Sequence, residues 1–171
     1  MKIGVLSDTH LKRPEPFLER ILDETLRDVD MVLHAGDIVA YSVLEVLESR
    51  GVMAVCGNMD DYEVAGHLPQ IRRISVGEKT LGLLHGWGSK IGLAERVLET
   101  FSYDRPDIIV FGHSHEPFAQ EIDGTYLFNP GSAGHGRYGG KSTVGILRVQ
   151  ESFVQGHILA IDELLPSLSK H

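Results

Sequence analysis

Five apolar runs in this chain each end on a polar residue, and that repeated ending constrains the fold more than any other feature. MKIGVLS runs into Asp8-Thr9-His10, MVLHA into Gly36-Asp37, VMAVC into Gly57-Asn58, TLGLL into His85, and DIIVF into Gly112-His113-Ser114-His115. Runs that are apolar throughout, rather than alternating, read as strands covered on both faces. In a parallel-type sheet, ligands collect just beyond the carboxyl ends of the strands. Two Asp, one Asn and four His arriving at one rim form the donor set of a two-metal centre, which is suited to in-line displacement at phosphorus.

The order of elements supports that sheet. Lys2–Leu6 is expected as a strand, and Pro16–Arg27 as a helix with Phe17, Ile21, Leu22 and Leu26 on one stripe. Strand Met31–Leu33, helix Tyr41–Ser49 and strand Val52–Val55 follow. Arg72–Val76 and Thr80–Leu84 read as a hairpin across Gly77-Glu78-Lys79. Lys90–Phe101 reads as a helix with Ile91, Ala94, Val97, Leu98 and Phe101 inward. Strands are then expected over Asp107–Phe111, Pro117–Ile122, Thr125–Phe128, Thr143–Val149 and Phe153–Ile161. A βαβα opening followed by a run of strands predicts two packed sheets with helices outside. Neither a Pro/Gly/Ser linker nor an internal repeat divides the chain, so residues 1–171 are expected as one domain, with a weakly ordered tail from Leu164 past Pro166.

Length and composition narrow the partners. At 171 residues, with 42% hydrophobic and 23% charged side chains, the chain can bury a substantial core. A net charge of −8 argues against gripping a polyanion such as a nucleic-acid polymer, though not against a small phosphorylated substrate. Apolar stretches are strand-sized, so no membrane span is expected. The absence of a signal-like start and the single cysteine, Cys56, predict a cytoplasmic protein without an internal disulfide.

Taken singly, most of these motifs have ordinary readings. Asp8-x-His10 would place both side chains toward one ion if the chain were extended there. Gly36-Asp37 and Gly57-Asn58 are common turn pairs. His85 at a strand end is as often a hydrogen-bonded structural residue, whereas His113-x-His115 beyond a strand rarely serves packing. Their equivalent positions in the fold are what turns five weak signals into one strong one. Imidazole, carboxylate and amide oxygen together suit manganese first, with nickel, cobalt, iron or zinc as alternatives. The absence of cysteine from the set disfavours structural zinc.

The order D-x-H, G-D, G-N, H-G, G-H-x-H resembles the signature of calcineurin-like metallophosphoesterases. It is most similar to the small bacterial and archaeal phosphodiesterase branch, whose fold is shared by the retromer scaffold subunit Vps29. The resemblance runs from Lys2 to the closing strands and includes Asn129-Pro130-Gly131-Ser132. It implies a four-layer α/β/β/α sandwich of two mixed sheets flanked by helices. It also implies that Asp8, His10, Asp37 and His115 hold one metal, and that Asp37 bridges to a second held by Asn58, His85 and His113. The implied activity is hydrolysis of small phosphodiesters by a metal-bridging hydroxide, with Asp37, Asn58 and His85 at the reacting centre. A scaffold that kept the fold and lost the chemistry is the alternative; all seven donor positions are filled, which favours the enzyme. Two divalent ions, two carboxylates and a hydroxide leave about +1, which a diester monoanion would cancel.

The chain departs from the family pattern in two places. Many members carry a His after the G-N pair, placed to protonate the leaving oxygen, where this chain has Met59. Asp60, Asp61, His34 and His135 are the candidate replacements. Members often carry a second His after the one matched by His85, where this chain has Gly86-Trp87-Gly88. Trp87 could stack on a base or an aryl leaving group. The glycine-dense segment from Gly131 to Gly140 reads as a loop in which Arg137 or Lys141 could reach an anion. His67, His157 and His171 carry no motif, and exposed late strand edges leave room for a homodimer.

Overall fold

The first apolar run forms β1 (Lys2–Leu6), and the computed structural model, which describes residues 1–134 and 141–162, builds a sheet on both its sides. β1 runs parallel to β2 (Met31–His34), which runs parallel to β3 (Met53–Ala54). On its other edge β1 pairs antiparallel with β9 (Thr143–Val149), and β9 with β10 (Val154–Ala160). The second sheet contains β4 (Ile71–Val76), β5 (Lys79–Leu84), β6 (Ile108–Val110), β7 (Phe118–Ile122) and β8 (Thr125–Asn129), in the order β4-β5-β6-β8-β7. Its inner pairs β5–β6 and β6–β8 are parallel and its outer pairs antiparallel, so both sheets are mixed.

Side-chain alternation sorts these strands into layers. Ile3 and Val5 of β1 pack with Leu81, Leu83, Ile108, Val110 and Phe128 between the sheets. Leu6 faces the other way, onto Leu18, Leu44, Leu47 and Val64. Those four come from α1 (Pro16–Arg20), α2 (Tyr41–Ser49) and α3 (Tyr62–His67). Ile109 and Leu127 turn outward onto Leu93, Val97 and Leu98 of α4 (Leu93–Glu99). The expected α/β/β/α sandwich is the observed one.

Several boundaries differ from expectation for physical reasons. The helix expected over Pro16–Arg27 is α1 followed by a π-helical turn over Ile21–Thr25, closed by Leu26 N–H donating to the Ile21 carbonyl at 2.9 Å. Phe17, Ile21, Leu22 and Leu26 are nonetheless all buried. The helix expected from Lys90 begins only at Leu93. The Arg96 guanidinium donates to the carbonyls of Trp87, Ser89 and Ile91 and holds that stretch as a loop. Ile91, expected inward, is therefore 87% exposed. Lys79 pairs with Val76, so the hairpin turn is Gly77-Glu78 alone. Helix α3 was not expected; Asp61 caps it by accepting from Val64 N–H at 2.9 Å, and it buries Val64. Among the described residues, no helix is long and apolar enough to cross a membrane. The tail from Leu164 lies outside the described residues.

Candidate metal centre

The centre forms where the carboxyl ends of both sheets meet. Asp8 and His10 leave β1, Asp37 follows β2 and Asn58 follows β3; His85 leaves β5, and His113 and His115 follow β6. Backbone pairing continues past the strands into these turns. Ala35 N–H donates to Leu6 O at 2.8 Å, Asp8 N–H to Gly36 O at 3.0 Å and His10 N–H to Asp37 O at 3.0 Å. In the second sheet Gly112 N–H donates to His85 O at 3.0 Å. These turns are not extended, contrary to the alternation expected for Asp8 and His10. Among the described residues seven non-glycine residues have positive φ, and five of them are Asp8, His10, Asp37, His113 and His115. Left-handed backbone costs about 1–3 kcal/mol per non-glycine residue and clusters where function requires it.

All seven donors come together. His115 Nε2 lies 3.2 Å from Asp8 Oδ1 and 3.1 Å from His10 Nε2, which is 3.7 Å from Asp37 Oδ2. His85 Nε2 lies 3.3 Å from Asp37 Oδ2 and 3.2 Å from Asn58 Oδ1, and His113 Nδ1 lies 2.9 Å from the same amide oxygen. Donor atoms on neighbouring vertices of an ion with bonds near 2.1 Å sit about 3 Å apart, which these spacings match. The site grades from a buried floor of Asp8, Asp37 and His85 to half-buried His10, His113 and His115 and an exposed Asn58. Close approach of the turns depends on Gly57, where a Cβ would collide with the Asp37 carboxylate and its backbone nitrogen.

Hydrogen bonds behind the donors fix which atom each presents. His85 Nδ1–H donates to Ala35 O at 2.7 Å, which turns Nε2 toward Asp37 and Asn58. His113 Nε2–H donates to Gly88 O at 2.8 Å, which turns Nδ1 toward Asn58. Asp8 Oδ2 accepts from Ser7 Oγ at 2.5 Å and from His113 N–H at 3.1 Å, while Oδ1 is buried without a hydrogen bond. Asp37 Oδ1 accepts from Met59 N–H at 2.7 Å. So imidazole, amide and carboxylate atoms converge across a buried floor, an arrangement that positive charge between them would stabilise. The titration behaviour agrees. Burial pushes His85 down, but its hydrogen bond to Asp37 and the charges of Asp8 and Asp37 outweigh that and raise it. Burial pushes Asp37 up, yet His85, the Met59 N–H and His10 hold it below the ordinary carboxylate range. Asp8-His10-His115 and Asp8-Asp37-His85 each bring donor atoms within 4.8 Å of one another, forming a potential metal-binding site.

Three of the four candidate replacement acids make hydrogen bonds that brace the fold. His34 is fully buried; Gly36 N–H donates to its Nδ1 at 3.2 Å and Nε2 meets Thr9 Oγ1 at 3.1 Å. Asp60 accepts from Val39 N–H at 2.7 Å and Gly57 N–H at 2.6 Å, bracing the turns that carry Asp37 and Asn58. Asp61 caps α3, and His135 and Arg137 lie outside the described residues. The segment read as a glycine-dense loop is, over 131–134, irregular and buried. Ser132 Oγ donates to Asp8 O at 2.8 Å, and Gly134 N–H donates to the same oxygen at 3.1 Å. Asn129 Nδ2 donates to Gly112 O at 2.7 Å and to Ser114 Oγ at 3.1 Å. These braces, with Ser7, escaped the sequence reading; the only signal was Asn129-Pro130-Gly131-Ser132 itself.

Residues 1–152 match the calcineurin-like phosphoesterase superfamily domain. A probable metallophosphoesterase of Methanothermobacter thermautotrophicus is 33% identical over 133 residues, 77% of each chain. A phosphodiesterase of Methanocaldococcus jannaschii is 27% identical over 166 residues, covering 88% of this chain and 95% of that one. Among solved structures, a predicted phosphoesterase of Streptococcus pneumoniae superposes with a TM-score of 0.77 at 26% identity, over 94% of this chain and 90% of that one. Vps29 of Entamoeba histolytica shares the fold, with a TM-score of 0.68 at 20% identity over 94% and 99%. With the family domain reaching past β9 and a third of aligned residues shared with an archaeal metallophosphoesterase, the chain belongs to the calcineurin-like phosphoesterase superfamily.

Proposed function

We propose that this chain is a metal-dependent phosphodiesterase acting on small phosphodiesters. Asp8, His10, Asp37 and His115 would hold one divalent ion, and Asp37, Asn58, His85 and His113 a second, with manganese the first choice. The single observation that carries this reading is the buried Asp8 Oδ1, which has no hydrogen bond although His115 Nε2 stands 3.2 Å away. Two bound ions would supply Lewis acidity and a water activated near neutral pH, the requirements of in-line displacement at phosphorus. The chain's own residues orient and insulate that chemistry. Ala35 O and Gly88 O keep His85 and His113 in the tautomers that face the centre. Asp37, between the two donor sets, is the shared carboxylate.

Substrate charge follows from the donor count. Two carboxylates and one hydroxide against two divalent ions leave about +1, which a diester monoanion balances and a monoester dianion overshoots. Met59 offers no proton, so good leaving groups should react fastest. The phosphodiesterase named among the relatives supports the same class. A scaffold reading finds less support, because a docking surface gives no reason to orient two imidazoles toward one pocket. Cys56, the lone cysteine, fits a reducing cytoplasm.

The test is turnover of matched mono- and bis(4-nitrophenyl) phosphates after loading with manganese, nickel, cobalt, iron or zinc, with Asp37→Ala as the blank. Diester turnover that needs metal and Asp37 is expected. No turnover by folded, metal-loaded protein would sink the enzyme reading, and a monoester preference would sink the diester assignment.

A further inference from the structure

Beside the metal centre lies a cleft of ≈ 270 Å³ whose far wall has no part in holding ions. Asn58 and His85 form its inner end; Gln70, Ile71, Leu84 and Trp87 line the rest. Trp87 and Ile71 are large apolar side chains left 49% and 43% exposed, both on this one cleft. Among the described residues no Lys, Arg, Asp or Glu lines it, so it suits a neutral group rather than a second phosphate. Sites that enclose a whole small molecule run to about 300–1,000 Å³, so this one has room for a single ring system and not for a polymer.

Hydrogen bonds hold the backbone of the walls in place. Arg96 Nη2 donates to Trp87 O at 3.0 Å and Arg96 Nη1 to Ile91 O at 2.9 Å. Gly88 O, next in the chain, accepts from His113 at 2.8 Å, which ties the indole's backbone to the centre itself. Opposite, Cys56 N–H donates to Pro69 O at 2.9 Å and joins the Asn58 turn to the strand carrying Ile71. An indole face with an aliphatic neighbour and one amide favours a flat, neutral ring, stacked and touched at its edge by Gln70.

We propose that Trp87, with Ile71, forms a subsite for a planar aromatic ring carried by the phosphoester, either a nucleobase or a simple aryl group, while its phosphate sits at the centre. This rests on the phosphodiesterase reading and narrows its substrate class. Trp87 is the only tryptophan in the chain, so its emission reports on the cleft alone.

The experiment titrates metal-loaded protein with adenosine 5′-monophosphate, phenyl phosphate, ribose 5-phosphate and methyl phosphate, by fluorescence and by calorimetry. The aromatic ligands should quench Trp87 and bind roughly 5- to 150-fold tighter than their ring-free counterparts, the worth of one stacked base. Trp87→Ala should abolish that preference and Trp87→Phe should keep most of it. A preference for the nucleotide over phenyl phosphate would identify a nucleobase, and equal binding of the two any aryl ring. Unchanged emission, or a preference that survives Trp87→Ala, would overturn the subsite. Wild-type turnover of bis(4-nitrophenyl) phosphate, measured alongside, separates the two failures: turnover with no aromatic preference sinks only this inference, and absent turnover sinks the function.

Discussion

His34 gives the sharpest quantitative test of how the floor of the centre is built. The ring is fully buried, and burial pushes its pKa from 6.5 down to about 3, against the opposing pull of Asp8. Because the folded value is depressed, the unfolded chain takes up a proton near pH 6.5 while the folded chain refuses it until about pH 3. The stability contribution is therefore fully present above pH 6.5 and is lost as pH falls from there toward 3. Between pH 7 and 5 that loss is about 2 kcal/mol, or roughly 4–8 °C in Tm for a chain of this size. Urea unfolding in chelator at pH 7, 6 and 5 should show it, with His34→Asn as the control. Asn keeps an acceptor for Gly36 N–H and cannot titrate, so wild type should lose about 2 kcal/mol more than the variant over this range. Parallel pH profiles would refute the reasoning and would reopen His34 as a proton donor.

Two further predictions concern the rim. Met59 is 48% exposed and its N–H is held by Asp37, so Met59→His changes the side chain without moving the turn. Hydrolysis of alkyl diesters should rise on the order of 10²-fold or more while aryl diesters change little; steady-state rates across leaving-group pKa check this, and a uniform gain or none contradicts it. Asp60→Ala strips the acceptor from Val39 and Gly57 N–H together and should cost about 3 kcal/mol, with Asp60→Asn recovering part of it; denaturation curves that overlay wild type would show that this brace is idle.

What was legible in the sequence was whatever period and position encode. Uniformly apolar runs marked the strands, and their polar endings picked out the seven residues that the structure brings to one place. What stayed hidden depends on hydrogen-bond partners that period and residue type do not specify. Nothing local to Lys90–Leu93 shows that Arg96 will draw three carbonyls into a loop, so Ile91 was placed inward by helical period when it faces water. Asp60 and His34 carried the residue types of acids and bases, and only their backbone partners reveal them as braces. The widened turn at Ile21–Thr25 left the apolar stripe intact, which is why the stripe could not disclose it.

Residues 131–134, the described start of the glycine-rich loop after Asn129, are buried for a reason that bears on the whole centre. Five donor residues sit in left-handed backbone, and such turns persist only where surrounding structure over-determines them. The first of these turns has the Asp37 turn on one side; on the other its carbonyl needs hydrogen-bond donors. Ser132 and Gly134 provide them, both reaching Asp8 O, while Asn129 holds Gly112 and Ser114 on either side of His113. A side chain at Gly134 would obstruct this, because its Cβ would strike the Asp8 and Thr9 carbonyls. The small residues there are thus the shape of a clamp pressed against a strained turn. A segment that supplies no donor is buried because the donors could not hold their conformation without it.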